Sequence, residues 1–244
     1  MIAELLRGRS AAAGARRLVV DLGGVETELQ VRCQPRARRI SLRLSADGDN
    51  VILVLPQHVL LQDGLAVAQA HAPWIRARLD NRPARIPFAN GAEIPVNGRP
   101  LVITSVPLGV RSVAIDGAQL RVGGPAATVD HRVRAFLRAE ARRIILLRIT
   151  ERAGRLPRRP TAVSVRDTRS RWGSCSSTGR LSFSWRLILA PPAVLDYVVA
   201  HELAHLSHRG HGPAFWDGVD RLCDDVGAKR AWLRQHGRDL FRYG

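Results

Sequence analysis

Alternating apolar and polar residues in the first half of the chain predict β-strands. Ile40, Leu42 and Leu44 occupy every second position of RRISLRL (38–44). Val51, Leu53 and Leu55 do the same in the wholly apolar run VILVLP (51–56), on the other side of an Asp-Gly pair at 47–48. This pattern predicts a hairpin with a slightly long loop. The stretch 57–83 is instead typical of a helix that Pro73 restarts or kinks and that Pro83 ends.

Turn-forming residues punctuate the next segment, 86–124, and separate short apolar runs. Asn-Gly occurs at 90–91 and 97–98, Asp-Gly at 116–117 and Gly-Gly-Pro at 123–125. These signals predict a small β meander.

The pattern changes near Pro125 to longer helical periods. Residues 126–154 predict a long helix, and the segments 161–167 and 180–190 are typical of strands. Pro191 and Pro192 open a further helix, followed by helices near 213–226 and 228–241. Five apolar residues would form the buried side of the long helix: Phe136, Leu137, Ile144, Ile145 and Leu147.

The change at Pro125 divides the chain into two predicted parts. Residues 1–125 form a β-rich N-terminal region, and residues 126–244 form a second domain that mixes helices and strands. A chain of 244 residues is long enough for one large domain or two small ones, with a core that needs no disulfide bonds. The predicted fold class is therefore α+β.

The composition adds a strong positive charge, formally +17 at pH 7. Such a surface attracts nucleic acid, anionic lipid or acidic substrates. Arginine is frequent along the whole chain, however, and Lys229 is the single lysine among 38 basic residues, a bias that genome composition also produces. Ten arginines lie between Arg132 and Arg159. They form either a solvated helix face or a surface that binds the phosphate backbone of a nucleic acid. Nucleic acid therefore stays open as a partner.

The cysteines and the apolar segments indicate the compartment. Cys33, Cys175 and Cys223 are far apart and odd in number, which argues against a disulfide framework and a cysteine zinc site. No stretch approaches the ~20 apolar residues of a membrane helix, and the first residues lack the apolar run of a secretory signal. We expect a cytoplasmic protein without a membrane partner, and the sequence indicates no oligomeric state.

The helix after Pro192 carries HELAH (201–205), the pattern HExxH. Residues four apart lie on one helix face, so His201 and His205 can bind one zinc ion. Glu202, next to the first ligand, can accept a proton from a metal-bound water. The flanking residues are apolar, and a buried histidine or glutamate needs a partner that a metal supplies. The sequence therefore predicts a zinc site with Glu202 as general base.

A catalytic zinc ion usually takes three protein ligands and a water, so the chain must supply a third ligand. No later glutamate exists, and the candidates are His208, His211 and the aspartates that follow. His208 would lie roughly 10 Å along the helix axis from His201. Gly210 favours His211, because a glycine there can end the helix and direct His211 back to the metal.

This ligand spacing is shared with the metzincins, a class that the sequence excludes. The glycine three residues after their second histidine is replaced here by His208. Those enzymes also need a methionine below the metal, and Met1 is the single methionine of this chain.

The residues around the motif resemble another family, the YgjP-like metal-dependent hydrolases, which are related to the SprT and WLM groups of minimal zincin peptidases. The resemblance is close over 170–216, from SRWGSCS to HGPAFW, and looser over RARRISLRLSADG, AHAPWIRARL and WLRQHGRDL. It implies a minimal zincin-like catalytic domain around the HExxH helix, with His201, His205 and His211 as zinc ligands and Glu202 as catalytic base. It also implies a peptide or protein substrate.

The segment RWGSCS (171–176) predicts a turn between two strands. In zincin folds an edge strand lies beside the metal and can pair with an extended substrate, which assigns substrate binding to Arg171 and Trp172. The alternative is a packed hairpin with Trp172 in the core. Cys175 is disfavoured as a ligand or nucleophile because no group that would activate its thiol is evident. Tyr197, one turn before the first histidine, either assists the site or fills the core.

Peptide-bond hydrolysis is the predicted function. Glu202 would activate water, zinc would polarise the carbonyl, and a cation such as Arg171 would stabilise the oxyanion. One alternative keeps the metal and takes a phosphate ester or a nucleotide as substrate, which would suit the many arginines. Another is a DNA-associated protein with a structural metal site, although structural zinc usually has four protein ligands.

Overall fold

The computed structural model describes residues 16–45, 50–80, 84–106, 113–156 and 158–244. The chain forms two compact units, Met1–Pro83 and Ala84–Gly244. Their architecture is mixed α+β, with a β-rich N-terminal region followed by a part that carries most of the helices. Among the residues described, no helix is long and apolar enough to cross a membrane.

The first unit contains a four-stranded sheet. Its strands are β1 (Arg16–Asp21), β2 (Glu26–Gln34), β3 (Ser41–Leu44) and β4 (Val51–Pro56), in the spatial order β1-β2-β4-β3. Strands β3 and β4 pair antiparallel, which confirms the predicted hairpin, although its turn at 47–48 lies outside the described residues. Strand β4 also pairs parallel with β2, and all six of its residues are buried, as expected for a central strand.

Two helices complete the first unit, α1 (Leu61–Ala70) and α2 (Ala72–Asp80). They bury Ala68 and Ile75 in a cluster with Leu29 of the sheet. The interruption predicted near Pro73 is present, since this residue lies in the first turn of α2, where a missing N–H costs little. Pro83, the predicted helix end, lies outside the described residues.

The second unit begins with another four-stranded sheet, formed by β5 (Glu93–Val96), β6 (Arg99–Val106), β7 (Val113–Asp116) and β8 (Gln119–Gly123). Its spatial order is β5-β6-β8-β7, and β6 pairs parallel with β8. The predicted turn at 97–98 joins β5 to β6 with positive φ at both residues, as a tight hairpin requires. The sheet is nevertheless not the predicted meander, because a parallel pair joins its two hairpins.

Helix α3 (Val129–Arg152) follows, with one 3₁₀ turn before it and one after it, and it confirms the predicted long helix. Leu147, expected on the buried side, is 43% exposed. The buried positions of the helix recur every three or four residues; they are Val129, Val133, Leu137, Ala141, Ile144, Ile145 and Ile149.

A three-stranded sheet and three further helices surround the HExxH motif. The strands β9 (Ala162–Arg166), β10 (Gly173–Cys175) and β11 (Arg180–Ser184) have the order β10-β11-β9, so β10 is an edge strand. A 3₁₀ segment leads from β11 into α4 (Pro192–Ala204). The chain then forms α5 (Pro213–Asp220), α6 (Val226–His236) and the 3₁₀ segment Gly237–Arg242.

One core joins the β5–β8 sheet to these helices. Ile94 and Leu120 of the sheet belong to the same buried cluster as Leu137 of α3 and Val199 of α4. The compact units divide after Pro83, whereas the sequence predicts a boundary near residue 125. The physical reason for the difference is that the second sheet buries its apolar face with helices that follow it in the chain.

Candidate metal centre

Helix α4 and its first cap residue present the two histidines of the HExxH motif. The helix ends at Ala204, and His205 follows in a helical conformation with φ −66° and ψ −15°. The two imidazoles therefore keep the spacing of neighbours on one helix face. Gly210, predicted to end this helix, lies beyond its observed end and does not adopt a positive φ, so it is not the left-handed cap that the sequence suggests.

The third histidine comes from the loop between α4 and α5. His211 Nε2 lies 3.2 Å from His201 Nε2. One ligand nitrogen from each of His201, His205 and His211 lies within 4.8 Å of those of the other two. The structure thus brings together the three predicted histidines, and His208 is not a member of this cluster.

Hydrogen bonds orient two of the imidazoles. His205 Nδ1 lies 2.9 Å from the backbone oxygen of His208, and because a carbonyl only accepts, Nδ1 carries the proton and Nε2 keeps a free lone pair. The hydroxyl of Tyr197 lies 3.5 Å from His201 Nδ1. Metal-binding histidines usually have such a partner on the nitrogen that faces away from the metal.

The surroundings favour the neutral form of two of the histidines, His201 and His205. Burial and, to a smaller extent, the nearby His205, His211 and Arg230 together lower the pKa of His201 to about 4. Burial also lowers the pKa of His205. An imidazole must be neutral to bind a metal, so these two ligands face little competition from protons near pH 7.

Two aromatic residues of α5 hold the cluster, and the sequence analysis did not single them out. The ring of Phe215 lies 4.5–4.9 Å, between centroids, from all three imidazoles. Trp216 donates its Nε1–H to the backbone oxygen of His211 at 3.0 Å. The sequence HGPAFW places both residues close behind the third histidine, but helical periodicity alone does not separate them from ordinary core residues.

Glu202 is a buried carboxyl, 5% exposed, on the wall of the same cleft. Burial raises its pKa to about 7, against the opposing effect of the Arg171 cation. A carboxyl group with a pKa near neutrality is suited to take up and release a proton at physiological pH.

The cleft has a volume of about 450 Å³ and runs along the edge strand β10. Gly173 lies against Glu202, and Cys175 ends the strand. The thiol of Cys175 is half-buried. Burial and the charge of Glu202 raise its pKa above the usual value, against the opposing effect of the Arg158 cation. Cys175 does not join the histidine cluster.

The two residues predicted to bind substrate lie just before β10. Arg171 is exposed, and its charge acts on Glu202. The ring of Trp172 is half-buried and stacks against Phe241 with 5.2 Å between centroids. This packing agrees with the alternative of a core tryptophan, and the substrate-binding assignment of both residues stays a prediction.

Three converging imidazoles and a buried carboxyl in an open cleft are the arrangement of a metal-dependent hydrolase. The family model of the YgjP-like metallopeptidase domain matches residues 38–236, and the chain belongs to this family. The resemblance read from the sequence is thereby confirmed, and the protein is a metal-dependent peptidase.

One solved structure is also similar to this chain. The crystal structure of the metallopeptidase zymogen of Pyrococcus abyssi abylysin shares 21% identity, with 43% of this chain and 92% of that chain covered and a TM-score of 0.30. A search of curated proteins finds no match.

Proposed function

We propose that this protein is a zinc peptidase in which His201, His205 and His211 hold the ion and Glu202 is the general base. The observation that carries the proposal is the convergence of three imidazole nitrogens within 4.8 Å beside a buried carboxyl on the same cleft wall. No fourth histidine, cysteine or carboxylate of the described chain joins the cluster. Three protein ligands with an open position are typical of catalytic rather than structural zinc.

The chemistry of the donor set suits zinc. Imidazole nitrogens bind zinc, copper, nickel and iron, and a three-histidine set occurs in catalytic zinc sites. The hydrogen bond from His205 Nδ1 to the His208 carbonyl fixes the tautomer whose Nε2 can bind the ion. When bound, zinc polarises the scissile carbonyl and makes water more acidic.

Glu202 moves the proton in this mechanism. It accepts the proton of the attacking water and passes it to the amine that leaves, which requires a carboxyl that is basic near pH 7. Burial supplies that basicity by raising the pKa of Glu202 to about 7. Arg171 adds a cation near the reacting atoms, where it stabilises the oxyanion that forms during attack.

The edge strand β10 aligns the substrate. Its one partner among the described strands is β11, so its other edge can pair with an extended peptide. Backbone pairing of this kind recognises any extended chain and leaves the choice of sequence to side-chain contacts. The cleft therefore binds a peptide across the face that Gly173 and Glu202 share.

A phosphate ester is the second candidate substrate. Its support is a pair of arginines on the cleft wall, Arg158 and Arg209, because guanidinium groups bind phosphate oxygens well. Nucleic-acid binding through α3 has less support, since arginines of this helix are already paired with carboxylates, as in Arg134 with Asp130 at 2.8 Å and Arg143 with Glu140 at 2.7 Å.

The zinc-loaded full chain tests the proposal against a peptide library and a panel of nucleotides and phosphate esters. We expect cleavage of peptides by the wild type and none by Glu202→Gln with its zinc retained. Glu202-dependent turnover of a phosphate ester without peptide cleavage would replace the peptidase assignment by the second candidate.

A further inference from the structure

Two arginines, Arg158 and Arg209, line the cleft that also contains Glu202. Glu202 lies against Gly173, the first residue of β10, and the charges of Glu202 and Arg158 both act on Cys175, the last residue of that strand. Arg158 is not among the charges that act on Glu202. Arg209 lines the same cleft from the loop that also carries His211. The charge of Arg158 thus reaches the end of β10 that lies two residues beyond the Gly173 contact with Glu202, and Arg209 adds a second cation to the same cleft.

Neither arginine has a counter-charge among the residues that the structure describes. Arg158 and Arg209 are exposed and form no hydrogen bond or ion pair within the part of the chain that the structure describes. The single carboxylate among the lining residues is Glu202, which is buried. A guanidinium that faces a cleft without an acidic partner gains a charge-assisted hydrogen bond when a ligand brings a carboxylate.

The length of β10 indicates how far the ligand carboxylate lies from the cleaved bond. Gly173 and Cys175 are two residues apart, and a β-strand advances about 3.3 Å per residue. A peptide paired with β10 and cleaved beside Glu202 would therefore place a side chain near the arginines two or three residues from the cleaved bond. The net charge of +17 would also favour the approach of an acidic substrate.

We infer that the peptidase selects peptides with an aspartate or glutamate two or three residues from the cleaved bond, and that Arg158 and Arg209 bind this side chain. The inference rests on the proposed function, since it names the substrate class of the same site. It makes the two arginines specificity-determining residues that take no part in proton transfer.

The test uses the zinc-loaded full chain and pairs of quenched fluorescent peptides that differ by glutamate or glutamine at one position. At the position that faces the arginines, we expect kcat/KM to be roughly tenfold higher for the glutamate peptide than for the glutamine peptide. A factor of this size corresponds to one charge-assisted hydrogen bond. Arg158→Gln combined with Arg209→Gln should abolish the preference. Arg159→Gln is the matched control, since Arg159 is exposed and does not line the cleft. Arg158→Glu combined with Arg209→Gln should transfer the preference to a lysine peptide.

A binding measurement separates this inference from the proposed function. The same peptides, labelled for fluorescence anisotropy, are titrated into zinc-loaded Glu202→Gln, which needs no turnover. The inference is supported if the glutamate peptide binds more tightly than the glutamine peptide and if this difference disappears when both arginines are replaced. This holds even if no peptide is cleaved. Absence of cleavage would count against the proposed function and not against the binding of an acidic side chain. Equal binding and equal cleavage of the two peptides would overturn the inference and leave the peptidase assignment intact. Binding of an oligothymidylate through these arginines, with no preference among peptides, would also overturn it.

Discussion

Gly173 and Glu202 are in such close contact that position 173 has no room for a side chain. A Cβ on Gly173 would lie 2.5 Å from both Cγ and Oε1 of Glu202, well inside van der Waals contact. The glycine of the RWGSCS segment therefore lets the edge strand and the buried carboxyl approach one another. Strand β10 therefore packs directly against the Glu202 carboxyl that helix α4 carries.

Gly173→Ala should move the Glu202 carboxyl and lower kcat by about 100-fold, because small misplacements of a catalytic group have effects of this size. Zinc content should stay at the wild-type level, since the atoms nearest to a Cβ at position 173 belong to Glu202 and to none of the three histidines. Activity and metal content are measured on the same preparation. Gly227→Ala is the control, as a Cβ there meets nothing within 4 Å. Full activity of Gly173→Ala would show that the carboxyl has room to adjust.

Glu202→Gln should keep zinc and lose turnover by roughly 10²–10⁴-fold, the usual contribution of a general base. The amide keeps the shape of the carboxyl and can still hydrogen-bond a water, but it cannot accept a proton. Zinc stoichiometry, melting temperature and turnover are measured together. Near-normal turnover of the true substrate by this variant would refute the mechanism, and a loss of zinc would make Glu202 a ligand instead.

His211→Ala should weaken zinc binding by more than the 10–100-fold loss that follows removal of an outer-shell partner. The reason is that one of the three converging nitrogens is lost. His208→Ala is the matched control, because this residue contributes its backbone oxygen to His205. Competition with a chelator measures both affinities. Equal affinities for the two variants would remove His211 from the site.

The metal-free protein should respond to pH through Glu202 and His201 in opposite directions. Glu202 has a pKa of about 7 in the fold and 4.5 as a free group, so its contribution to stability is present below pH 4.5 and is lost as the pH rises through 7. His201 has a pKa of about 4 in the fold and 6.5 as a free group, so its contribution is present above pH 6.5 and is lost as the pH falls through 4.

Glu202→Gln isolates these two effects. At pH 8 the metal-free variant should be more stable than the wild type by at most roughly 3 kcal/mol, and the gain should disappear near pH 4.5. The acid lability that His201 causes should remain in the variant. Urea unfolding between pH 4 and 8 measures both, and an unchanged difference across this range would contradict the assignment to Glu202.

A fragment of residues 84–244 should fold on its own, and a fragment of 126–244 should not. The shorter fragment lacks the β5–β8 sheet, so buried residues of the shared core such as Leu137 would face water. Thermal unfolding followed by circular dichroism distinguishes a cooperative domain from a partly folded chain. A cooperative transition of 126–244 would instead place the domain boundary near Pro125, as the sequence predicts.

The parts of this fold that the sequence predicts are those set by local spacing. The β3–β4 hairpin follows from period-two alternation around a turn, and the approach of His201 and His205 follows from four residues on a helix. His211 is favoured by the sequence through a helix cap at Gly210, which the structure does not form, although His211 does lie in the cluster. In each case the evidence lies within about a dozen residues of sequence.

The parts that the sequence does not predict depend on contacts between distant segments. The parallel pairing of β6 with β8 joins two hairpins into one sheet. The local sequence of each hairpin would be the same in a meander, so it does not distinguish the two topologies. The end of α4 at Ala204 comes six residues before the glycine that would mark it. The contact of Phe215 with all three imidazoles depends on how α5 packs, which no periodicity encodes.

The contact of Phe215 with the three imidazoles has a thermodynamic consequence for metal uptake. A side chain held by packing has lost its rotamer freedom when the protein folds, so little conformational entropy is left to lose when the ion arrives. We therefore expect the three imidazoles to be preorganised for a metal ion, with an affinity that reflects mainly the chemistry of their nitrogens. Calorimetric titration with zinc should accordingly give a heat-capacity change near zero, because almost no apolar surface is buried in the process.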